Sequence, residues 1–230
     1  MPAIFDLTQL GSYLLYIILP ILALYFIYLI STKAFKDMGF SSVEAIIIIF
    51  VSFLFGFEII IIGFNISNIY LFSYQNWRVG INVGGAIIPI LLSIYLSLKK
   101  NIPLKKIFIG VLAVTIIAFL VAHPIPEEGI VSYFPFLLFP AISASLISIA
   151  LLRKNFRQAA PLAYISGTLG VLIGADFLHL PALLGSETQI TRNAVIGGAN
   201  IFDMVFITGI LAVIVDGILM YRQRVREKLS

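Results

Sequence analysis

Runs of apolar residues, each about 20 long, follow one another along this chain, separated by short stretches that carry its Lys, Arg, Asn and Pro. A helix of about 20 residues rises ~30 Å, the thickness of the hydrocarbon core of a bilayer. The pattern predicts seven such helices, at roughly 12–31, 43–64, 79–98, 105–122, 130–152, 160–179 and 197–220. The expected fold is therefore all-α, a polytopic membrane protein of seven transmembrane helices. Composition agrees: 60% of the 230 residues are hydrophobic and only 11% charged. A soluble domain of this size needs a far more polar surface.

The charges that remain are distributed unevenly. Counted by alternate loops, 13 Lys and Arg fall on one side, and only Arg78 and Arg192 on the other. The positive-inside tendency then places the N-terminus outside and the C-terminus in the cytoplasm of a cell-membrane protein. The net charge of +4 is read as this topology signal, with the basic tail (Arg222, Arg224, Arg226, Lys228) against anionic lipid, and no nucleic acid is implied. The absence of Cys excludes disulfides, thiolate metal sites and Cys nucleophiles. The first residues lack a basic stretch, so a cleaved signal peptide is not expected.

Three sets of positions repeat in order. Ser12-Tyr13 and Pro20 match Ser132-Tyr133 and Pro140. Ala45, Gly56 and Glu58 match Ala163, Gly174 and Asp176. Gly84-Gly85-Ala86 match Gly197-Gly198-Ala199. The offsets drift slowly, from 120 through 118 to 113, as in a duplicated unit. Three helices are an odd number, so the fourth span restores the orientation of the second copy. The expected plan is a 3+1+3 parallel internal repeat: residues 1–98, a linker helix and outer turn over 99–128, and residues 129–230. In outline this is similar to the sugar-transporting SWEET proteins, although no Pro-Gln motif is present. Parallel repeats place their site between the halves.

Helical depth counting puts Asp176 and Asp203 at one level in the outer half of the membrane, with Glu58 as the counterpart of Asp176. Asn82, Asn200 and His179 are expected nearby, and the pairs Gly84-Gly85 and Gly197-Gly198 open or loosen helices. A carboxylate facing lipid is costly, so these side chains are expected to face the interior. This gives Asp176, Asp203, Glu58, Asn82, Asn200, His179 and the four glycines as candidate solute- or ion-binding residues. His123 and His179 are weak metal candidates, since no metal-binding spacing is present. Asp216 is expected to pair with Arg222 or a tail Lys. No motif implies a cofactor.

The phrases Asn82-Val-Gly-Gly-Ala-Ile-Ile-Pro-Ile-Leu-Leu-Ser, Gly167-Thr-Leu-Gly-Val-Leu-Ile-Gly-Ala-Asp-Phe-Leu-His-Leu-Pro, Ile196-Gly-Gly-Ala-Asn-Ile-Phe-Asp and Thr208-Gly-Ile-Leu-Ala resemble the domain-of-unknown-function 1614 family over roughly residues 79–216. The resemblance implies a multi-pass archaeal or bacterial membrane protein and supplies no activity. The family's last motif carries Gly-Thr-Phe-Asp; Asn200-Ile201 replaces Gly-Thr here, and Asp203 stays.

Three functions follow from these residues. The first is a transporter for a small solute or ion, with Asp176 and Asp203 binding or relaying a proton or cation. The second is an enzyme, an intramembrane aspartyl-type peptidase with Asp176 and Asp203 as catalytic acid and base. Gly174-Ala175-Asp176 looks like the Gly-x-Gly-Asp proteases, but Ala175 stands for the second Gly, no Tyr-Asp is present, and Pro181-Ala182-Leu183 follows too soon. The third is a structural or assembly subunit of a membrane complex. The bilayer is the expected partner in each case, and a homo-oligomer is compatible with all three.

Overall fold

The computed structural model describes residues 7–126, 128–152, 156–188, 190–198 and 204–229. Most of these are helical. The helices are α1 (Leu7–Asp37), α2 (Ser42–Leu54), α3 (Ile88–Lys99), α4 (Leu104–Val121), α5 (Phe139–Leu151), α6 (Phe156–Val171), α7 (Leu178–Leu184) and α8 (Met204–Leu229). Among the described residues, three segments are long and apolar enough to cross a membrane: Tyr16–Asp37, Leu104–Val121 and the continuous run Gln158–Leu184. Four shorter apolar helical segments accompany them, Ser42–Leu54, Val83–Lys99, Phe136–Leu151 and Met204–Leu219.

The polarity of the helices is that of a lipid-facing protein. On α4, Leu104 is 77% exposed and Leu120 66%, with Phe108, Leu112 and Ile116 between them at four-residue spacing. The opposite face buries Gly110, Val114, Thr115 and Ala118. Large apolar side chains outside and small ones inside suit a hydrocarbon solvent, where close backbone approach replaces hydrophobic burial as the main attraction. α6 lies at the centre, packed on α3, α4, α5 and α8. Its glycines permit this. A Cβ at Gly170 would lie 2.6 Å from Val114 Cβ, and one at Gly174, in the turn that follows α6, would lie 2.9 Å from Ala118 Cβ. α1 packs on α2 and α8 at the edge of the body.

The sequence reading needs corrections at one end of the bundle. The helix expected over 43–64 stops at Leu54. It begins with a capping box in which Glu44 N–H donates to Ser41 Oγ (3.2 Å) and Ser41 N–H to Glu44 Oε2 (2.7 Å). Beyond it, β1 (Ile60–Ile61) and β2 (Phe64–Asn65) pair as a hairpin. Its two turn residues, Ile62 and Gly63, have φ of 51° and 81°, as a two-residue hairpin of this hand requires. The helix expected from residue 79 starts later. β3 (Asn68–Tyr74) and β4 (Trp77–Asn82) form an antiparallel pair, and β7 (Arg192–Ile196) joins β4 in parallel. A further small hairpin pairs β5 (His123–Ile125) with β6 (Gly129–Val131). The all-α expectation thus holds for the body, while sheets build the end.

The three-stranded sheet is two-faced. Trp77, Val79, Ala194 and Ile196 are buried in a core shared with Val114, Ala118, Val171, Ala175 and Leu183. Arg78 and Asn193, cross-strand neighbours, are exposed on the other face. A second core, at the opposite end, gathers Phe35, Met38, Phe40, Leu96, Ile102, Leu162 and Tyr164.

Candidate functional site

Two helical segments are irregular beside the sheet. Val83–Ile87 is a π-helical turn that leads from β4 into α3, and Leu172–Phe177 is a second one between α6 and α7. A π-turn holds one residue more than an α-turn and re-aims the side chains around it. The first contains Gly84-Gly85-Ala86 and the second Gly174-Ala175-Asp176. Chain segments that start with glycines can come close here, and they do. A Cβ at Gly85 would run into the carbonyl oxygen of Gly197, and one at Gly197 would stand 2.5 Å from Ala86 Cβ and 2.6 Å from Ala86 N. Gly197 and Gly198 have φ of 82° and 72°, a left-handed conformation open to glycine. The end of β7 therefore bends across the start of the α3 segment, backbone against backbone.

Asp176 sits at this crossing. It is partly buried, and its Oδ2 accepts the Gly197 N–H at 2.6 Å. The short distance is that of a charge-assisted bond. Asn82 organises the other side of the crossing. Buried at 3% exposure, it accepts the Gly85 N–H at 2.7 Å, capping the π-turn, and donates to Phe55 O (3.3 Å) and to Asn68 Oδ1 (2.7 Å). Gly84 packs on the end of α2, where a Cβ would lie 2.5 Å from Ser52 O. The structure thus brings together Asp176, Asn82, Gly84, Gly85 and Gly197, with Gly198 next in the chain. Asn200 and Asp203 lie outside the described residues.

Glu58 is placed differently from the expectation. α2 ends before it, so Glu58 is not carried on a helix; it is exposed and accepts from Asn65 Nδ2 at 2.7 Å. It lines a pocket of about 240 Å³ over the exposed face of the sheet. Arg78, Asn68 and Asn193 line the same pocket and were not among the residues picked out by sequence. Alternation in Trp77-Arg-Val-Gly-Ile-Asn82 was the signal available.

His179 is buried. Its ring stacks on Phe119 with centroids 4.5 Å apart, and Nε2 lies 3.0 Å from Phe119 O at the end of α4. His123 is exposed on β5. Among the described residues, no three His, Asp or Glu side chains gather as a metal site would require. Asp216 is fully buried and accepts from Ser148 Oγ at 3.2 Å; the side chain of Arg222, its expected partner, lies outside the described ones.

No curated protein and no solved structure matches this chain. Residues 55–215 match the family model described as protein of unknown function (DUF1614). The match starts earlier than the resemblance traced above and takes in Glu58, the hairpin and the whole sheet. Covering well over half of the 230 residues, it makes this chain a member of the DUF1614 family.

Proposed function

We propose that this protein is a membrane transporter for a small solute or ion, with seven crossings, its N-terminus outside and its C-terminus cytoplasmic. The observation that carries the reading is Asp176. It stands on a π-turn inside the apolar run Gln158–Leu184 and binds the N–H of Gly197, where a second segment leaves regular structure. Irregular backbone at membrane depth is tolerated only when buried in protein or lining a polar cavity. Transporters use broken helices in this way, presenting backbone groups and a carboxylate to solute and coupling ion. Asp203 and Asn200 complete the site in this reading, Asp203 sharing a proton or cation with Asp176.

The seven crossings rest on the three long apolar segments together with the four shorter ones. A parallel 3+1+3 duplication is supported by the meeting of Gly85 with Gly197, one from each copy of the Gly-Gly-Ala motif.

The test is ion flux in proteoliposomes. A potassium-valinomycin potential drives proton or sodium entry, read by an internal dye. The wild-type chain is expected to conduct or couple, and Asp176→Asn and Asp203→Asn to lower the rate by about tenfold or more, the scale of losing one charge-assisted contact. Wild-type flux in the double variant would remove both residues from the function.

A further inference from the structure

From the pocket over the sheet we infer a binding site for a small zwitterion, a solute that carries an ammonium and an anionic group on a short spacer. The pocket rests on the exposed face of β3, β4 and β7 and is walled by the chain that leads into the β1–β2 hairpin. Glu58 stands on that wall and Arg78 on the floor. They carry opposite charges, yet no ion pair joins them. The Glu58 carboxylate receives one hydrogen bond, from Asn65 Nδ2, which fixes its position. Two opposite charges that face one small space without pairing leave both available to a ligand bearing the complementary pair.

The rest of the lining fits such a ligand. Gly80 lies between Arg78 and Asn82 on the floor, opposite Tyr70 on β3 and Val195 on β7. It adds no side chain to the lining, and its Cβ position faces the Ile69 carbonyl oxygen at 3.2 Å. Asn68 and Asn193 supply neutral donors and acceptors at the rim. At about 240 Å³ the pocket is below the usual range for drug-sized ligands, about 300–1,000 Å³, and suits a small solute. Arg78 suits a planar carboxylate or a phosphate, either of which its guanidinium can hold by two parallel bonds.

This site deepens the transport reading and rests on it only for its purpose. Asn68, which lines the pocket, accepts from Asn82, and Asn82 in turn holds Gly85 N–H at the crossing beside Gly197 and Asp176. A solute held on Asn68 is thus one residue removed from the polar track that reaches the carboxylate.

Calorimetric titration of the purified chain in maltoside detergent tests the site without any flux. Glycine and phosphoethanolamine are the zwitterionic probes; acetate and ethylamine each carry one of the two charges. Phosphatidylethanolamine in mixed micelles separates a lipid headgroup from a free solute. We expect at least one zwitterion to bind, and Glu58→Gln and Arg78→Gln each to weaken it by about tenfold or more. Both side chains are exposed, so neither variant threatens the fold, which Trp77 fluorescence verifies. Binding of acetate or ethylamine as tight as that of every zwitterion overturns the proposal, as does binding unchanged in both variants or no binding of any zwitterion. Because binding is read apart from transport, failure here and failure of the Asp176 flux test are separate results.

Discussion

The close crossing of the two Gly-Gly segments makes a quantitative prediction, because three glycines separate its two physical components. Gly63 has φ of 81° and open space where a Cβ would go. Gly63→Ala therefore carries only the cost of a left-handed alanine, about 1–2 kcal/mol. Gly85 is not in the left-handed region, but its Cβ would meet the Gly197 carbonyl oxygen. Gly85→Ala carries only the steric cost of overpacking, about 1–3 kcal/mol. Gly197 has both problems: φ of 82°, and a Cβ 2.5 Å from Ala86 Cβ, 2.6 Å from Ala86 N and 2.8 Å from Gly85 C. These neighbours are backbone and a methyl group, with no flexible side-chain end to swing aside. Gly197→Ala is expected to cost about 2–5 kcal/mol, the sum of the two effects. It also moves the N–H that Asp176 accepts.

Equilibrium unfolding with SDS in mixed micelles measures all three, with Trp77 as the single fluorophore of its kind. It sits in β4, in the strand that enters the crossing. The expected order is Gly197→Ala worst. The double variant Gly85→Ala/Gly197→Ala should cost less than the sum of its parts, since both substitutions strain one contact. If Gly197→Ala comes within about 0.5 kcal/mol of Gly63→Ala, the limit within which independent effects usually agree, the backbone-to-backbone crossing is refuted.

Three further outcomes follow from single contacts, read by the same unfolding titration. Asn82→Ala removes one accepted and two donated bonds from a buried position and should cost about 2–4 kcal/mol, since Gly85 N–H and Asn68 are left to find other partners; a cost below about 0.5 kcal/mol would mean that water replaces all three. His179→Phe keeps the stacking on Phe119 and loses the contact to Phe119 O, so about 1 kcal/mol is expected, with a markedly larger loss for His179→Ala. Ser41→Ala breaks the capping box of α2 and should cost about 1 kcal/mol.

The helical body was legible because lipid imposes a coarse pattern. Apolar runs such as Leu104–Val121 appear in the sequence at nearly the length they take in the fold. The sheet was not, because a window of about 20 residues hides shorter periods. Trp77-Arg-Val-Gly-Ile-Asn82 alternates cleanly, but it adjoins the apolar start of α3 and was absorbed into that helix. The run Phe57 to Ile62, apolar but for Glu58, likewise extended α2 on paper, and Gly63 was a local sign of a turn. The parallel pairing of β4 with β7 joins residues 115 positions apart, Trp77 with Arg192, which no local pattern encodes. Of the site, the two Gly-Gly pairs and Asp176 were found by composition, since small and acidic residues stand out in apolar surroundings. The role of Asn82 as a cap, and the gathering of Glu58 with Arg78, are products of the fold.

The same register bears on the proposed duplication. An axis along the membrane normal would hold equivalent residues of the two copies at one height. Gly84 and Gly197 are equivalent at an offset of 113, whereas the strands that lead into them pair at 115, Ile81 opposite Ile196. At about 3.3 Å per residue the second strand is displaced by ~6.6 Å from the symmetric position. Continued past the strands, that register would set Gly197 beside Asn82; the π-turn over Val83–Ile87 intervenes, and Gly197 meets Gly85 and Ala86. Asp176 remains inside a helical run and takes the Gly197 amide, while Glu58, its counterpart, lies past the end of α2 in an exposed pocket. Duplication would thus have supplied two acidic positions, and unequal helix length would have assigned them to different depths of one polar track.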